Sequence, residues 1–191
     1  MIRSIAAGQP FDLTILTPVV IEGLIKSGRV VASTQTELAR AYVAVGIRPG
    51  GPKTDISTPE AFKRRMLAAK AVTFTRDGAS VPAINKMMDG LGIANELKPK
   101  IIYQETAGQS EAAVISGQSE VVFGPVSEIM HGHLDILGLL PSEFQSPLVM
   151  IAAVSTNAAN PARVKALMQF LAGPKAPPVL KANGMEPPPR K

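Results

Sequence analysis

Small and hydroxyl-bearing residues stand at four points where a predicted strand gives way to a helix or a turn. The candidates are, in chain order, Thr17; then Gly78, Ala79 and Ser80; then Gly108 and Ser110; then Pro125, Val126 and Ser127, next to Gly124. A helix N-terminus presents unpaired N–H groups and a partial positive charge, so it holds anions without Lys or Arg. Serine and threonine hydroxyls add directional donors. The pattern predicts a site for a small anion, the alternative being that each residue only caps its helix.

The elements that must position these residues alternate along the chain. Strands are predicted at residues 12–16, 41–47, 71–74, 101–103, 121–123 and 148–154, and helices at residues 18–27, 61–69, 81–91, 110–115, 162–171 and 179–182. Ser57 and Glu60 have capping-box spacing before the second helix. Repeated strand–helix–strand units predict an α/β fold with mixed, mostly parallel sheets and helices on both faces. Ligands bind such sheets at the carboxyl ends of their strands.

The residues offer little for catalysis or metal binding. Gly108-Gln109-Ser110-Glu111-Ala112 approaches the nucleophile-elbow pattern of hydrolases but lacks its last glycine. Glu128, His131 and His133 could be considered as metal ligands, but Gly132 between the two histidines indicates a turn and surface histidines. There is no cysteine and no phosphate-binding loop motif. We therefore expect no enzyme activity, no catalytic residue, no metal site and no cofactor.

The composition is that of a globular protein that handles anions. The chain has 191 residues, of which 46% are hydrophobic and only 4% aromatic, which predicts an aliphatic core. The net charge is +5, and the densest basic cluster, Lys63-Arg64-Arg65, has no aromatic platform beside it, so nucleic acid is not the expected partner. No apolar run approaches the roughly 20 residues of a membrane span. The first residues lack the apolar core of a secretion signal, which by itself predicts a cytoplasmic location.

Three segments of the sequence resemble the substrate-binding proteins of molybdate-type ABC importers, which are type 2 periplasmic binding proteins. They are Asp12-Leu13-Thr14-Ile15-Leu16, the stretch from Pro52 to Lys63 that contains Asp55-Ile56-Ser57-Thr58-Pro59-Glu60, and the late segment from Asn160 that ends in Asn183-Gly184-Met185-Glu186-Pro187. The resemblance follows the order of the family over nearly the whole chain.

The resemblance implies two α/β lobes that close on a ligand by a hinge motion. Residues 1–47 and 145–191 would form the first lobe, and residues 48–144 the second. The closed protein would dock on an ABC permease in the periplasm, which is the family's location.

The sequence also departs from the family. Members begin with a strand and a helix that would precede Met1, so we expect a shortened first lobe. The gap would be filled by pairing of its flanking strands or by a second copy of the chain in a homodimer. A ligand hydroxyl of the family falls at Leu16, beside Thr17, and Pro125 has no N–H to offer where the family turn binds its ligand. A family tyrosine has no match at Pro147 or Leu148. These departures leave the identity of the anion open.

Two functions remain after this comparison. The leading interpretation is a solute-binding protein that captures a small anionic or polar ligand for ABC-type import. The alternative is a cytoplasmic ligand-sensing protein on the same fold, with a lost or altered ligand site and no transport role.

Overall fold

A computed structural model of the chain describes residues 4, 5 and 7–189. The chain divides into two compact units, one formed by residues 1–40 and 149–191, the other by residues 41–148. The hinge closure expected from the family resemblance stays a prediction.

The first unit is built on a four-stranded sheet in the order β1-β8-β2-β9. Its strands are β1 (Leu13–Leu16), β2 (Thr36–Ala41), β8 (Leu148–Val154) and β9 (Met185–Glu186), and its helices are α1 (Pro18–Lys26), α7 (Pro161–Leu171) and α8 (Ala176–Ala182), with a 3₁₀ turn at Ala32–Thr34. β1 and β8 run antiparallel, with Leu13 opposite Val154.

Alternating residues of β8 face different helices. Ala152 and Val154 pack with Val164 and Met168 of α7. Ala153, between them, packs with Ile21 of α1. Because successive side chains of a strand point to opposite faces, α1 and α7 cover opposite faces of this sheet.

The second unit contains a five-stranded sheet in the order β5-β4-β6-β3-β7. Its strands are β3 (Val43–Ile47), β4 (Val72–Thr75), β5 (Ile101–Gln104), β6 (Val121–Pro125) and β7 (Asp135–Leu139), and its helices are α2 (Pro59–Ala68), α3 (Val81–Gly90), α4 (Ala94–Leu97), α5 (Ala107–Ile115) and α6 (Val126–His131). β4 runs parallel to β5 and to β6. β3 runs antiparallel to β6 and to β7. The sheet is therefore mixed in equal parts, with fewer parallel pairs than the sequence predicted.

Both faces of this second sheet are covered by helices. On one face, Val114 of α5 and Ile129 of α6 pack with Val122 of β6. On the other, Phe62 of α2 stacks on Phe123, the next residue of β6, at a centroid distance of 6.4 Å. Phe74 contacts Phe123 edge to face at 6.2 Å. The prediction of an aliphatic core is wrong here, because a small number of phenylalanines is concentrated at the centre of one sheet.

Two boundaries differ from those predicted. The sequence gave residues 41–47 to the first lobe as one strand, but the strand breaks at Tyr42, and β3 lies between β6 and β7 in the second sheet. The division between the units therefore falls after residue 40 rather than 47, and the return falls after residue 148 rather than 144.

The start of α2 is also one residue away from its prediction. The N-cap is Thr58, whose hydroxyl accepts a hydrogen bond from the Ala61 N–H at 3.1 Å. Ser57 instead donates its N–H to Asp55 at 2.8 Å. Hydrogen bonds from the Ser57 backbone and side chain hold the pKa of Asp55 below its ordinary value.

Candidate ligand-binding pocket

A small polar pocket lies at the carboxyl edge of the second sheet. β4, β5 and β6 are parallel, so their carboxyl ends meet at this edge. The pocket has a volume of about 20 Å³, enough for about one water molecule. Its lining residues are Thr75, Ser80, Ala107, Ser110, Glu111, Val122, Phe123, Gly124, Pro125, Glu128 and Ile129.

Ser80 is the most informative residue of this lining. It immediately precedes the ten-residue helix α3 and is 5% exposed. Its carbonyl accepts from the Ile84 N–H at 3.0 Å, so it holds the N-cap position, but its side chain makes no capping hydrogen bond. Within the described part of the chain the Ser80 hydroxyl has no hydrogen-bond partner. Buried hydroxyls are normally paired, so an unpaired one in a pocket is a donor available to a ligand.

Ser110 lines the same pocket from a different position than the sequence predicted. α5 begins at Ala107, not at Ser110, because Thr106 and Gln109 form a capping box. Gly108 and Gln109 are therefore first-turn helix residues, and neither lines the pocket. The Ser110 hydroxyl, 2% exposed, reaches the Thr106 carbonyl at 3.4 Å. That contact is long for a hydroxyl donor, so the hydroxyl can be redirected to a ligand at little cost.

The turn after β6 contributes less than expected. Pro125 lines the pocket but has no N–H to donate. The Val126 N–H already donates to the Tyr42 carbonyl at 2.9 Å. The Ser127 carbonyl lies 2.6 Å from Nδ1 of His131, and neither Val126 nor Ser127 is among the lining residues. Within α6, only Glu128 and Ile129 face the pocket.

The remaining predicted residues lie away from this pocket. Gly78 closes the turn after β4, where its N–H donates to the Thr75 carbonyl at 3.4 Å. Ala79 is exposed beside it. Thr17 belongs to the other unit, where it is the N-cap of α1, and its hydroxyl makes no capping hydrogen bond. The roles of Thr17, Gly78 and Ala79 in ligand binding stay predictions.

Two glutamates in the lining were not among the predicted ligand residues. Glu111 follows Ser110 on α5, and Glu128 is in the first turn of α6, where its Oε2 lies 3.8 Å from the position that a Cβ on Gly124 would occupy. As a whole residue Glu128 is exposed, but its carboxylate end lies against the pocket wall. Partial burial, and then repulsion from Glu111, raise the pKa of Glu128 above its ordinary value.

The charge of the lining is uneven. Among these described residues Glu111 and Glu128 are acidic, and none is Lys, Arg or His. Across residues 4, 5 and 7–189 no three or more His, Asp or Glu side chains are grouped as they would be around a metal ion. The pocket therefore combines serine donors on one helix start with carboxylate acceptors from two other helices.

No helix within the described residues combines the length and the hydropathy needed to cross a lipid bilayer.

Comparison with known proteins gives a consistent picture. The family model described as bacterial extracellular solute-binding protein matches residues 1–186. A relative from Pseudomonas sp., aconitate isomerase, is 26% identical over 188 residues, which are 97% of this chain and 71% of that protein.

Solved structures of periplasmic binding proteins share the fold. The periplasmic molybdate-binding protein of Azotobacter vinelandii aligns with a TM-score of 0.79 at 19% identity, over 98% of this chain and 83% of that one. The sulfate-binding protein SubI of Mycobacterium tuberculosis H37Rv aligns with a TM-score of 0.76 at 17% identity, over 98% of this chain and 72% of that one. These similarities confirm the predicted α/β binding-protein fold.

Proposed function

The chain belongs to the bacterial extracellular solute-binding proteins, and from that premise we propose that it captures a small anion at the pocket lined by Ser80, Ser110 and Glu128. We propose further that it works outside the cytoplasm and delivers this anion to an ABC permease.

The observation that carries the proposal is the unpaired hydroxyl of Ser80. It lies at the N-terminus of α3, where the backbone dipoles favour negative charge. A buried serine without a partner costs stability unless something in solution occupies it. An oxygen atom of an anion would accept from this hydroxyl and from Ser110 on the neighbouring helix. The molybdate- and sulfate-binding proteins with the same fold support an anion as the ligand class.

A thermal-shift screen tests this function. The protein would be heated with sulfate, molybdate, phosphate and small carboxylates, with ionic strength matched by chloride. A ligand at a hundredfold excess over its Kd stabilises the folded state by about 2.7 kcal/mol, which raises the Tm by roughly 5–10 °C for a chain of this size. The proposal fails if none of these anions changes the Tm more than chloride does.

We propose that the bound molecule leaves chemically unchanged. Moving a proton to and from carbon requires a base and also a group that stabilises the charge developing on the substrate. Glu128 could act as a base, but the lining has no Lys, Arg or His for the second role.

Isomerisation of an unsaturated carboxylic acid is the second candidate function. It is favoured by the aconitate isomerase relative and by the raised pKa of Glu128. Proton NMR of cis- and trans-aconitate incubated with the protein separates the two. We expect no interconversion, and interconversion that is lost in Glu128→Gln would establish an enzyme instead.

We also propose that two copies of the chain associate through the first unit. β1 lies at the edge of its sheet, with β8 as its neighbour on one side. Next to it, an apolar groove of about 330 Å³ is lined by residues that include Ile15, Phe170 and Val179. Ile15 is 38%, Phe170 65% and Val179 61% exposed. Open edges and exposed apolar surface together favour strand pairing with another chain.

A further inference from the structure

The pocket presents acceptors as well as donors, and this limits which anions it can hold. The Ser80 and Ser110 hydroxyls can donate from one side. Glu111 and Glu128 line the same small space, and a carboxylate in its ordinary ionised state can only accept. A ligand that fills this pocket therefore meets both kinds of group.

The two carboxylates are close to each other and have no cation to offset them. Glu111 packs against Gly132 at the end of α6, where a side chain on residue 132 would collide with its carboxyl group. Its charge contributes to the raised pKa of Glu128. The ion pairs within the described residues involve neither Glu111 nor Glu128. His131 lies on the same helix as Glu128, but its Nδ1 is engaged with the Ser127 carbonyl, and it does not line the pocket.

An anion placed against this pair is repelled unless a proton lies between the ligand and the nearer carboxylate. A ligand hydroxyl or acid proton converts that repulsion into a hydrogen bond to a charged acceptor, which is one of the stronger kinds. An anion of the same size and charge that has no such proton leaves two negative oxygens facing each other.

We propose that Glu128 makes the pocket selective for an anion that also carries a hydroxyl or an acid proton, such as a hydroxycarboxylate or a hydrogen phosphate. This inference rests on the proposed anion-binding function and narrows its ligand class. The Ser80 hydroxyl, unpaired and buried, binds the anionic oxygen, and Glu128 accepts from the protonated group. Fully deprotonated oxyanions such as sulfate are rejected.

Two matched pairs of probes test the selectivity by isothermal titration calorimetry. Phosphate is compared with sulfate in mildly alkaline buffer, where both carry two charges but only phosphate keeps a proton. Malate is compared with succinate, which lacks the hydroxyl. We expect the member with the hydroxyl to bind at least about tenfold more tightly in at least one pair.

Three variants assign the selectivity to Glu128. Glu128→Gln keeps the shape of the side chain and can donate, so its preference should fall to about twofold or less, mainly through tighter binding of sulfate or succinate. Glu111→Gln should keep the preference, because Glu128 remains the acceptor. Glu143→Gln changes an exposed glutamate outside the pocket and should match the parent. Circular dichroism confirms that each variant is folded.

The outcomes separate the two proposals. Equal binding within both pairs, or a preference that survives in Glu128→Gln, overturns the inference and leaves the anion-binding function standing. Absence of binding for all four probes overturns both.

Discussion

The side-chain amide of Gln145 binds both backbone groups of Val43. Its Oε1 accepts from the Val43 N–H at 3.1 Å, and its Nε2 donates to the Val43 carbonyl at 2.8 Å. Val43 begins β3 and is fully buried, and β7 pairs with β3 only from Ala44 onward. Gln145 thus takes the place of a strand partner for one further residue and satisfies two groups that water does not reach.

Replacing Gln145 should destabilise the second unit. Gln145→Ala leaves the buried Val43 N–H without a partner, because the Val43 carbonyl also accepts from Leu140 at 3.2 Å but the N–H relies on Gln145. The expected cost is about 1–3 kcal/mol in the free energy of unfolding. Urea denaturation followed by circular dichroism measures it. Gln118→Ala, at an exposed glutamine, is the control and should change stability by less than about 0.5 kcal/mol. Equal effects of the two substitutions would contradict the role of Gln145.

Ser80 and Ser119 are two buried serines of the same unit with opposite expected behaviour. Ser80, 5% exposed, has an unpaired hydroxyl, whereas the Ser119 hydroxyl, 2% exposed, reaches the Val121 carbonyl at 2.9 Å and the Ala71 carbonyl at 3.1 Å. Ser80→Ala should leave the Tm of the free protein nearly unchanged and weaken anion binding about tenfold. Ser119→Ala should cost about 1 kcal/mol of stability and retain the anion affinity. Thermal unfolding and calorimetric titration of both variants check this, and an anion affinity unaffected by Ser80→Ala would remove Ser80 from the site.

Much of the fold could be predicted because its elements are marked locally. Proline at the first turn and glycine after the end delimit α1, and the alternation of strands and helices indicates parallel pairs such as β4 with β6. Parallel pairing then brings the residues after β4 and β6 to one edge, which is why Ser80 and Pro125 share a pocket. The short helix α6 was not predicted, since six residues between Pro125 and Gly132 give too little periodicity.

The carboxylates of the pocket could not be predicted from spacing. Glu111 and Glu128 are on different helices, and their proximity depends on how α5 approaches the end of α6 at Gly132. No local pattern encodes that approach. Likewise, Val126 follows a strand as a ligand-binding residue would, but its N–H is used by Tyr42, a contact that only the β3–β6 pairing creates.

The edge strand β1 gives a prediction about association. A chain that pairs through β1 should show twice the mass of one chain in size-exclusion chromatography with light scattering at high concentration. Ile15→Lys places a charge on this edge and in the apolar groove, so it should shift the population to single chains by about tenfold in Kd. Val19→Lys is the control, because Val19 is 77% exposed on α1 and does not line the groove. A single-chain mass for the parent protein at every concentration would contradict the association.

The raised pKa of Glu128 predicts how stability depends on pH. A carboxyl group whose pKa is raised by folding binds its proton more tightly in the folded state than in the unfolded chain. Its contribution to stability is therefore fully present below the pKa of the unfolded chain and is lost as the pH rises through the folded value. Glu128→Gln removes this dependence, so near neutral pH it should raise the Tm by about 1–2 °C relative to the parent, and the difference should disappear in acid. The effect is small because the residue is exposed to solvent. Thermal unfolding from acidic to neutral pH measures it, with Glu143→Gln as the control. A Tm difference that grows in acid would mean that Glu128 is stabilised in its ionised form, and the repulsion from Glu111 would then be too weak to select for a protonated ligand.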